Sequence, residues 1–596
     1  MTAYAAPLAE MRFTATRLAG FADIAALPGG EDLTEDLLSA IFVEGGKFAS
    51  GILAPLNRVG DLQGSRLENG VVRTPDGWSS AYRAFVEGGW NAVAFESRHG
   101  GQGLPWLVAT ALQEMWHSAS MAFSLCPMLT QASVEAISHH GSPALQAQFL
   151  PKLVSGEWTG TMNLTEPQAG SDLAAIRTRA VREGDHYRIA GQKIFITYGD
   201  HELAENIVHL VLARLPDAPA GVKGISLFVV PKYLVGADGA LAGRNDLRCV
   251  SLEHKMGIHA SPTAVMSYGD NGGAFALIVG EENKGLQYMF TTMNNARLSG
   301  GLQGVAIAER ALQKAASFAR ERVQSRDVAG GNARPVAIVR HPDVRRMLLT
   351  MRALTESSRA LAYFAAAKLD TANRHPDPAL RQAAKALVDL LIPVVKGWST
   401  EIGSEAAAMG VQIHGGMGYI EETGAAQFMR DAKIAEIYEG TNGIQANDLI
   451  GRKLTRDGGA TAKEFIATMR SLDAEMAGAG TELSRLRAAL AGGLDALAVT
   501  TEWILVHQAS DPRDAAAGAM SYLRLWGTVA GGWQMARAAL AAKADLSAGD
   551  GDPAFLRAKI VTARFYGEHI LPRASTSMAA ATAGAGTLME MADEAF

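Results

Sequence analysis

Apolar residues recur at helical spacing over residues 33–42 and 107–116, separated by a loop, Gly100-Gly-Gln-Gly-Leu-Pro105, that its glycines and proline mark. Most of the stretch from 30 to 160 therefore reads as helix. After Trp158 the texture changes. Short runs rich in β-branched and aromatic residues follow at 191–197, 207–212, 225–230 and 274–279, divided by Gly, Asp and Pro. Such runs predict a compact antiparallel β domain. From Leu286 the helical period returns, with one long amphipathic stretch over 290–323 and further helices over 343–374 and 378–410. A composition break at Asp457-Gly-Gly-Ala-Thr461 opens an Ala-, Leu- and Met-rich tail. Breaks near Gly478, Ser510-Asp-Pro512 and Gly549-Asp-Gly-Asp-Pro553 cut that tail into a four-helix unit.

The ordering predicts a fold that is mainly α with a middle β domain. An N-terminal extension covers 1–39, an N-terminal helical domain 40–160, the β domain 161–285, a C-terminal helical domain 286–456 and an extra helical domain 457–596. A chain of 596 residues is too long for one core, which agrees with several domains. Charged residues are 19% and hydrophobic residues 48%, a globular mix. A net charge of −6 offers no general attraction to nucleic acid or to an anionic membrane. Cys126 and Cys249 cannot form a disulfide framework and have no metal-ligand spacing, so no metal site is expected and both read as buried thiols. The first residues lack a basic stretch followed by an apolar core, and no long uninterrupted apolar run follows, so neither a signal peptide nor a membrane span is expected. A cytoplasmic protein is the expectation.

The most informative chemistry lies at Tyr438-Glu-Gly-Thr441. Glu439 ends an apolar-periodic stretch, and Gly440 lets the backbone there lie close to a ligand. A carboxylate on such a turn suits a general base in a dry pocket, where desolvation raises its proton affinity. Alone, the same residues also describe an exposed Glu at a helix end before a capping Gly. Three blocks in order, Gln412-Ile-His-Gly-Gly-Met-Gly-Tyr419, Met429-Arg-Asp-Ala-Lys433 and Tyr438-Glu-Gly-Thr441, resemble the C-terminal half of the acyl-CoA dehydrogenase family. The order helix, small β domain, helix resembles it too, over roughly residues 40–450. The N-terminal lead and helical tail are similar to the longer subgroup, which includes 3-methylmercaptopropionyl-CoA dehydrogenases.

That resemblance implies FAD-dependent α,β-dehydrogenation of an acyl-CoA, with Glu439 taking the α-proton and flavin N5 the hydride. No side chain accepts a hydride, so this chemistry requires a redox cofactor. Met162-Asn-Leu-Thr-Glu-Pro-Gln-Ala-Gly-Ser-Asp172 is similar to the family's flavin segment. It implies cofactor contacts by Met162, Leu164 and Thr165, with Ser171 on the CoA side. Phe195 and Thr197 stand where the family packs an aromatic, more often Trp, and a hydrogen-bonding residue against the ring. Arg297 matches an arginine lying over CoA, with Asn294 where Asp is common. Arg322 matches the arginine that reaches the partner subunit's FAD, and Gln412 and Gly416 the segment that receives the adenosine half. Gln324 and His341 belong to the same set, although Ser325-Arg326 and an inserted loop over 327–340 depart from the family there. Thr441 and Asn442 are implied cofactor contacts, Tyr438 and Gly440 substrate contacts, and His414 a packed neighbour. Some members carry the base on the long helix, but that position is Ala296 here, which cannot ionise.

The implied partners are an acyl-CoA, an electron-transfer flavoprotein and a second copy in a homodimer or dimer of dimers. The subgroup points to a 3-methylmercaptopropionyl or other short acyl group, with medium or long chains as the alternative. Two rival readings share the scaffold. An acyl-CoA oxidase would reoxidise its flavin with dioxygen. A DNA-associated flavoprotein would need a basic C-terminal domain, whereas residues 451–596 hold 15 basic and 16 acidic residues.

Overall fold

The main sheet begins where the sequence texture changes, after a short two-stranded hairpin, Arg66–Glu68 with Val71–Arg73, inside the stretch expected to be mostly helix. The computed structural model of the chain describes residues 4–236, 238–330 and 334–596, with the side chains of 290–294 excepted. It divides into two compact units, one formed by residues 47–104 and 119–296 and the other by 1–46, 105–118 and 297–596.

In the first unit, helices α1 (Trp78–Glu87), α2 (Met121–His140) and α3 (Pro143–Ser155) accompany an eight-stranded sheet. Ser142 caps α3 by accepting a hydrogen bond from the Leu145 N–H, Pro143 follows at the first turn, and left-handed Gly156 ends the helix. The strands are β1 (Trp158–Asn163), β2 (Arg179–Glu183), β3 (His186–Thr197), β4 (Asn206–Arg214), β5 (Ile225–Pro231), β6 (Leu247–Leu252), β7 (Thr263–Tyr268) and β8 (Ala274–Ile278). Their order is β6-β7-β3-β8-β5-β4-β1, with β2 pairing β3 and β4. Ile189, Val211, Phe228, Val230, Met266 and Tyr268 share its core.

Most ladders are antiparallel, as the alternation predicts, but β1 pairs with β4 in parallel, Thr159 opposite Ile207 and Met162 opposite Leu210. The β2–β3 hairpin intervenes between them, and a long excursion of that kind is what a parallel return requires. β1 is buried along its whole length, which removes the alternation that would have marked it as a strand. Gly160 allows α2 to lie on it: a Cβ there would stand 2.4 Å from Ser133.

The second unit is helical. Its long elements are α4 (Gly285–Glu321, from Arg297 on), α5 (Pro342–Arg374) and α6 (Pro378–His414), followed by α7 (Ala425–Ala432) and α8 (Asn442–Asp448). The tail adds α9 (Ser484–Ser510), α10 (Pro512–Ala548), α11 (Pro553–His569) and α12 (Arg573–Ala581), after shorter helices over Ala460–Ser471 and Asp473–Gly478. The sequence breaks fall at the helix ends. Asp511 and Asp552 cap α10 and α11 ahead of Pro512 and Pro553, and left-handed Gly549 stops α10.

Glycines on two neighbours clamp the middle of α6. A Cβ at Gly304 of α4 would stand 1.9 Å from the Ser399 carbonyl oxygen, and one at Gly527 of α10 would stand 2.2 Å from Trp398 Cγ. Backbone and indole occupy the space that side chains would need, so α4 and α10 both hold α6 at close range. Buried charges tie in the chain's beginning. Lys559 of α11 donates to Glu10 at 2.8 Å and to Glu356 at 2.7 Å, while Arg359 joins Glu114 at 2.6 Å and Glu309 at 2.7 Å.

Two helical stretches, Glu35–Gln63 and Thr481–Ser510, are long and apolar enough by length and composition to cross a membrane. Length and composition alone are weak evidence for a span, and 39% and 44% of the most apolar windows of these stretches are buried within the fold.

Replacing Gly527 by Ala puts a methyl group where Trp398 already sits. The variant should lose about 1–3 kcal/mol of stability, read as a lowered thermal unfolding midpoint. A midpoint equal to that of the parent chain would show that α6 and α10 do not lie this close.

Candidate active site

Glu439 and Gly440 sit in succession in the left-handed region, at φ +57° and +82°. For glutamate this conformation is strained and persists only where surrounding contacts impose it. Those contacts are visible. Gln445 Nε2 donates to the Glu439 carbonyl at 3.0 Å and to that of Gly440 at 3.3 Å. Lys396 Nζ, from α6, donates to the Gly440 carbonyl at 2.9 Å and to Asn442 Oδ1 at 3.0 Å. Asn442 Nδ2 in turn donates to the Gly397 carbonyl and to Thr400 Oγ1, each at 3.0 Å. Thr441 caps α8, its hydroxyl accepting from the Ile444 N–H at 3.2 Å.

The electrostatics follow from this packing. Desolvation raises the proton affinity of Glu439 above that of an ordinary carboxylic acid, and the positive charges of Arg297 and Lys396 oppose it. Burial pushes Lys396 down to about 8, and Glu439 partly offsets that shift. Arg297 is buried and donates to Asp448 at 3.0 Å. Tyr438 donates its hydroxyl to Gln303 Oε1. Arg297, expected over CoA, is thus paired with Asp448 while its charge also acts on the candidate base. Tyr438 and Asn442 likewise use their side chains inside the protein. A carboxylate of raised proton affinity on a rigid turn can accept a proton near neutral pH.

The residues expected to hold the flavin ring come from two segments of the first unit that the fold brings together. The Thr161 hydroxyl donates to the Thr197 carbonyl at 2.7 Å, and the Ile194 N–H to that of Thr165 at 2.9 Å. Met162 is buried on β1, and Leu164, Thr165 and Thr197 are half-buried. Phe195 is 58% exposed at φ +59°, a strained aromatic turned to solvent. The anchor of this loop has no local mark in the sequence. Glu166 accepts from the Arg177 N–H at 2.6 Å, the Thr178 hydroxyl at 2.6 Å and the buried Lys193 ammonium at 2.8 Å. Against the desolvation that would raise it, Lys193 and these donors hold the Glu166 carboxyl down at about 2.

Ser171 is exposed on the same segment, and the Asn294 side chain lies outside the described residues. Arg322, Gln324, Gln412 and Gly416 are all exposed. At the far end of the insertion, Val336 and Ile338 pair back with the Arg322 segment, the Val336 N–H bonded to the Ser325 carbonyl at 2.9 Å and the Ile338 N–H to the Arg322 carbonyl at 2.8 Å. His341 Nε2 meets the Gln324 carbonyl at 2.7 Å, which gives that histidine a local task. His414 is a packed neighbour, stacked on Phe318 at 4.4 Å. Both cysteines are buried and free, as expected.

Comparison with known proteins adds whole-length similarity. Residues 69–157 match the acyl-CoA dehydrogenase N-terminal domain, 161–270 its middle domain and 283–454 its C-terminal domain. Residues 460–592 match the acetyl-CoA dehydrogenase C-terminal-like domain. A 3-methylmercaptopropionyl-CoA dehydrogenase of Ruegeria pomeroyi is 51% identical over 96% of this chain and 97% of its own. The chain belongs to the acyl-CoA dehydrogenase family. A second member, a butyryl-CoA dehydrogenase of Syntrophomonas wolfei, is 34% identical over 92% of each chain. The fold resembles that of a Bacillus anthracis acyl-CoA dehydrogenase solved with FAD, at a TM-score of 0.72 and 19% identity over 96% of this chain and 91% of that one.

Gly440 is required by the turn that carries Glu439. A Cβ there would stand 2.9 Å from Gln445 Nε2 and would enter a left-handed conformation. Gly440→Ala should therefore destabilise the protein by about 1–2 kcal/mol, measured by chemical denaturation. An unchanged midpoint would contradict the left-handed turn.

Proposed function

We propose that the protein removes one hydrogen each from the α- and β-carbons of a short acyl-CoA thioester, using FAD, to give the 2-enoyl-CoA. The single observation that carries this reading is Glu439, a desolvated carboxyl of raised proton affinity fixed on a strained turn. The whole-length similarity to an enzyme named for 3-methylmercaptopropionyl-CoA supports that thioether, or another short acyl group, as substrate.

The residues present suit a flavin. Phe195 offers an exposed aromatic face at a strained backbone position beside Thr165, which is where a flat ring would stack. Met162, Leu164, Thr165, Phe195 and Thr197 would hold the ring, and Arg322, Gln412 and Gly416 of a neighbouring copy its adenosine half. When bound, FAD supplies the two-electron acceptor for the β-hydrogen, which no side chain can provide. Glu439 takes the α-proton and becomes neutral, while its backbone N–H steadies the thioester oxygen as negative charge builds there. Arg297 and Lys396 keep the carboxylate accessible at working pH by opposing its desolvation. A homodimer is part of the same proposal. Tyr419 is 85% exposed and Met417 53% exposed beside Gln412 and Gly416, an apolar surface of the kind a partner covers. An electron-transfer flavoprotein is the acceptor that removes the electrons.

Glu439→Gln keeps volume and loses the base. The variant should bind FAD, and butyryl-CoA or 3-methylmercaptopropionyl-CoA should reduce that FAD at least ~10²-fold more slowly. Glu439→Asp should retain partial activity. In the parent enzyme the reduction rate should fall as pH drops through an apparent pKa above the ordinary carboxylate range, because only the ionised form accepts the proton. Near-normal reduction in Glu439→Gln would refute the assignment. Rapid turnover with dioxygen, releasing peroxide, would replace the dehydrogenase reading by the oxidase one.

A further inference from the structure

Lys396 interrupts an apolar run, Ile392-Pro-Val-Val-Lys-Gly-Trp398, and is 0% exposed. Burying an ammonium is costly unless the surroundings compensate for it. Among the described residues no carboxylate lies within ion-pair distance of its Nζ. Its acceptors are neutral, the Gly440 carbonyl and the Asn442 amide oxygen, and both belong to the turn that begins at Glu439. A neutral side chain would fit the α6 packing at lower cost, so helix stability does not account for this residue.

We propose that Lys396 is a positioning residue for the base. It pins the Glu439–Gly440 turn through the Gly440 carbonyl, and its charge favours the ionised form of Glu439 that the reaction consumes. This rests on Glu439 being the base. The clamp has a defined order: Gly304 and Gly527 fix α6, α6 presents Lys396, and Lys396 with Asn442 and Gln445 fixes the turn. The geometry also explains why Asn442 faces inward. It joins the ammonium to the Gly397 carbonyl and the Thr400 hydroxyl, so the turn is bolted to the same helical segment twice.

The charged groups around the pair come from several elements. Arg297 on α4 adds a second positive charge toward Glu439, itself engaged by Asp448 on α8. Glu436, in the segment leading to the turn, acts on Lys396, and Arg452 and Lys453 beyond α8 act on Arg297 and Asp448. Removing the Lys396 charge leaves Arg297 alone to oppose desolvation, so the proton affinity of Glu439 should rise.

The test is anaerobic reduction of the FAD-loaded enzyme by butyryl-CoA across a pH series, for Lys396→Met and Lys396→Gln. Lys396→Met loses both charge and hydrogen bonds. Its limiting reduction rate should fall at least ~10-fold, and the acid limb of its pH profile should move up by about one unit. Lys396→Gln keeps amide donors for the turn, so its rate should fall less while its acid limb moves similarly. If Lys396→Met does not yield folded flavoprotein, Lys396→Gln decides alone. Rates within twofold of the parent with an unmoved limb overturn the proposal. A lower rate with an unmoved limb in Lys396→Gln also overturns it, since mere support of the turn would give that result. Glu439→Gln run alongside separates the two ideas: if it is inactive while the Lys396 variants behave normally, the base stands and the positioning role falls. If it is active, the base assignment itself has failed.

Discussion

A general base must be taken out of water far enough to want a proton, yet remain able to ionise. In the proposed mechanism the second unit answers that constraint at Glu439. Desolvation raises the proton affinity of the carboxyl, and two cations from different helices, Arg297 on α4 and Lys396 on α6, oppose it. Left unopposed, burial would keep the acid neutral and useless as a base. The hydrogen bonds at this turn have a second effect, holding Glu439 in a conformation that glutamate avoids. Position and charge state are thus set by the same few side chains.

Those side chains depend on helix packing at a distance. α6 can present Lys396 only if its axis is fixed, and the close approaches at Gly304 of α4 and Gly527 of α10 do that. The appended helices therefore support the site through α10, at Gly527. Lys559 of α11 adds a second tie, since it is buried with Glu10 and Glu356 and links the tail to both the chain's beginning and α5. Buried pairs of this kind need not add stability over apolar packing, but breaking one by removing a partner strands a charge. The tail is in this sense part of the catalytic unit's framework.

Much of this was legible in the sequence. The helical period located α4, α5 and α6, and the Pro and Gly breaks located the ends of α10 and α11, because local signals fix those features. The Glu439–Gly440 turn was legible only through the blocks around it, because carboxylate–glycine pairs recur along the chain, at Glu44-Gly45, Glu87-Gly88 and Glu183-Gly184 among others. What escaped depended on contacts far apart in the chain. β1 was missed because burial on both faces erases alternation. Lys396 looked like a polar interruption of an apolar helix, and only the fold shows that its ammonium reaches a turn 44 residues away. The lone lysine in that run was the available signal. Arg297 is implied over CoA by resemblance alone, and the fold adds that Asp448, 151 residues later, engages it.

The central claim is that Glu439 exchanges a proton with the α-carbon of a bound thioester. An acyl-CoA bearing sulfur at its third acyl position keeps acidic α-hydrogens but has no β-hydrogen to lose, so proton transfer can be followed without oxidation. In D₂O the FAD-loaded enzyme should replace those α-hydrogens with deuterium, seen as loss of the α-proton NMR signal, and Glu439→Gln should not exceed the rate in buffer. Exchange by Glu439→Gln at the parent rate would contradict the account.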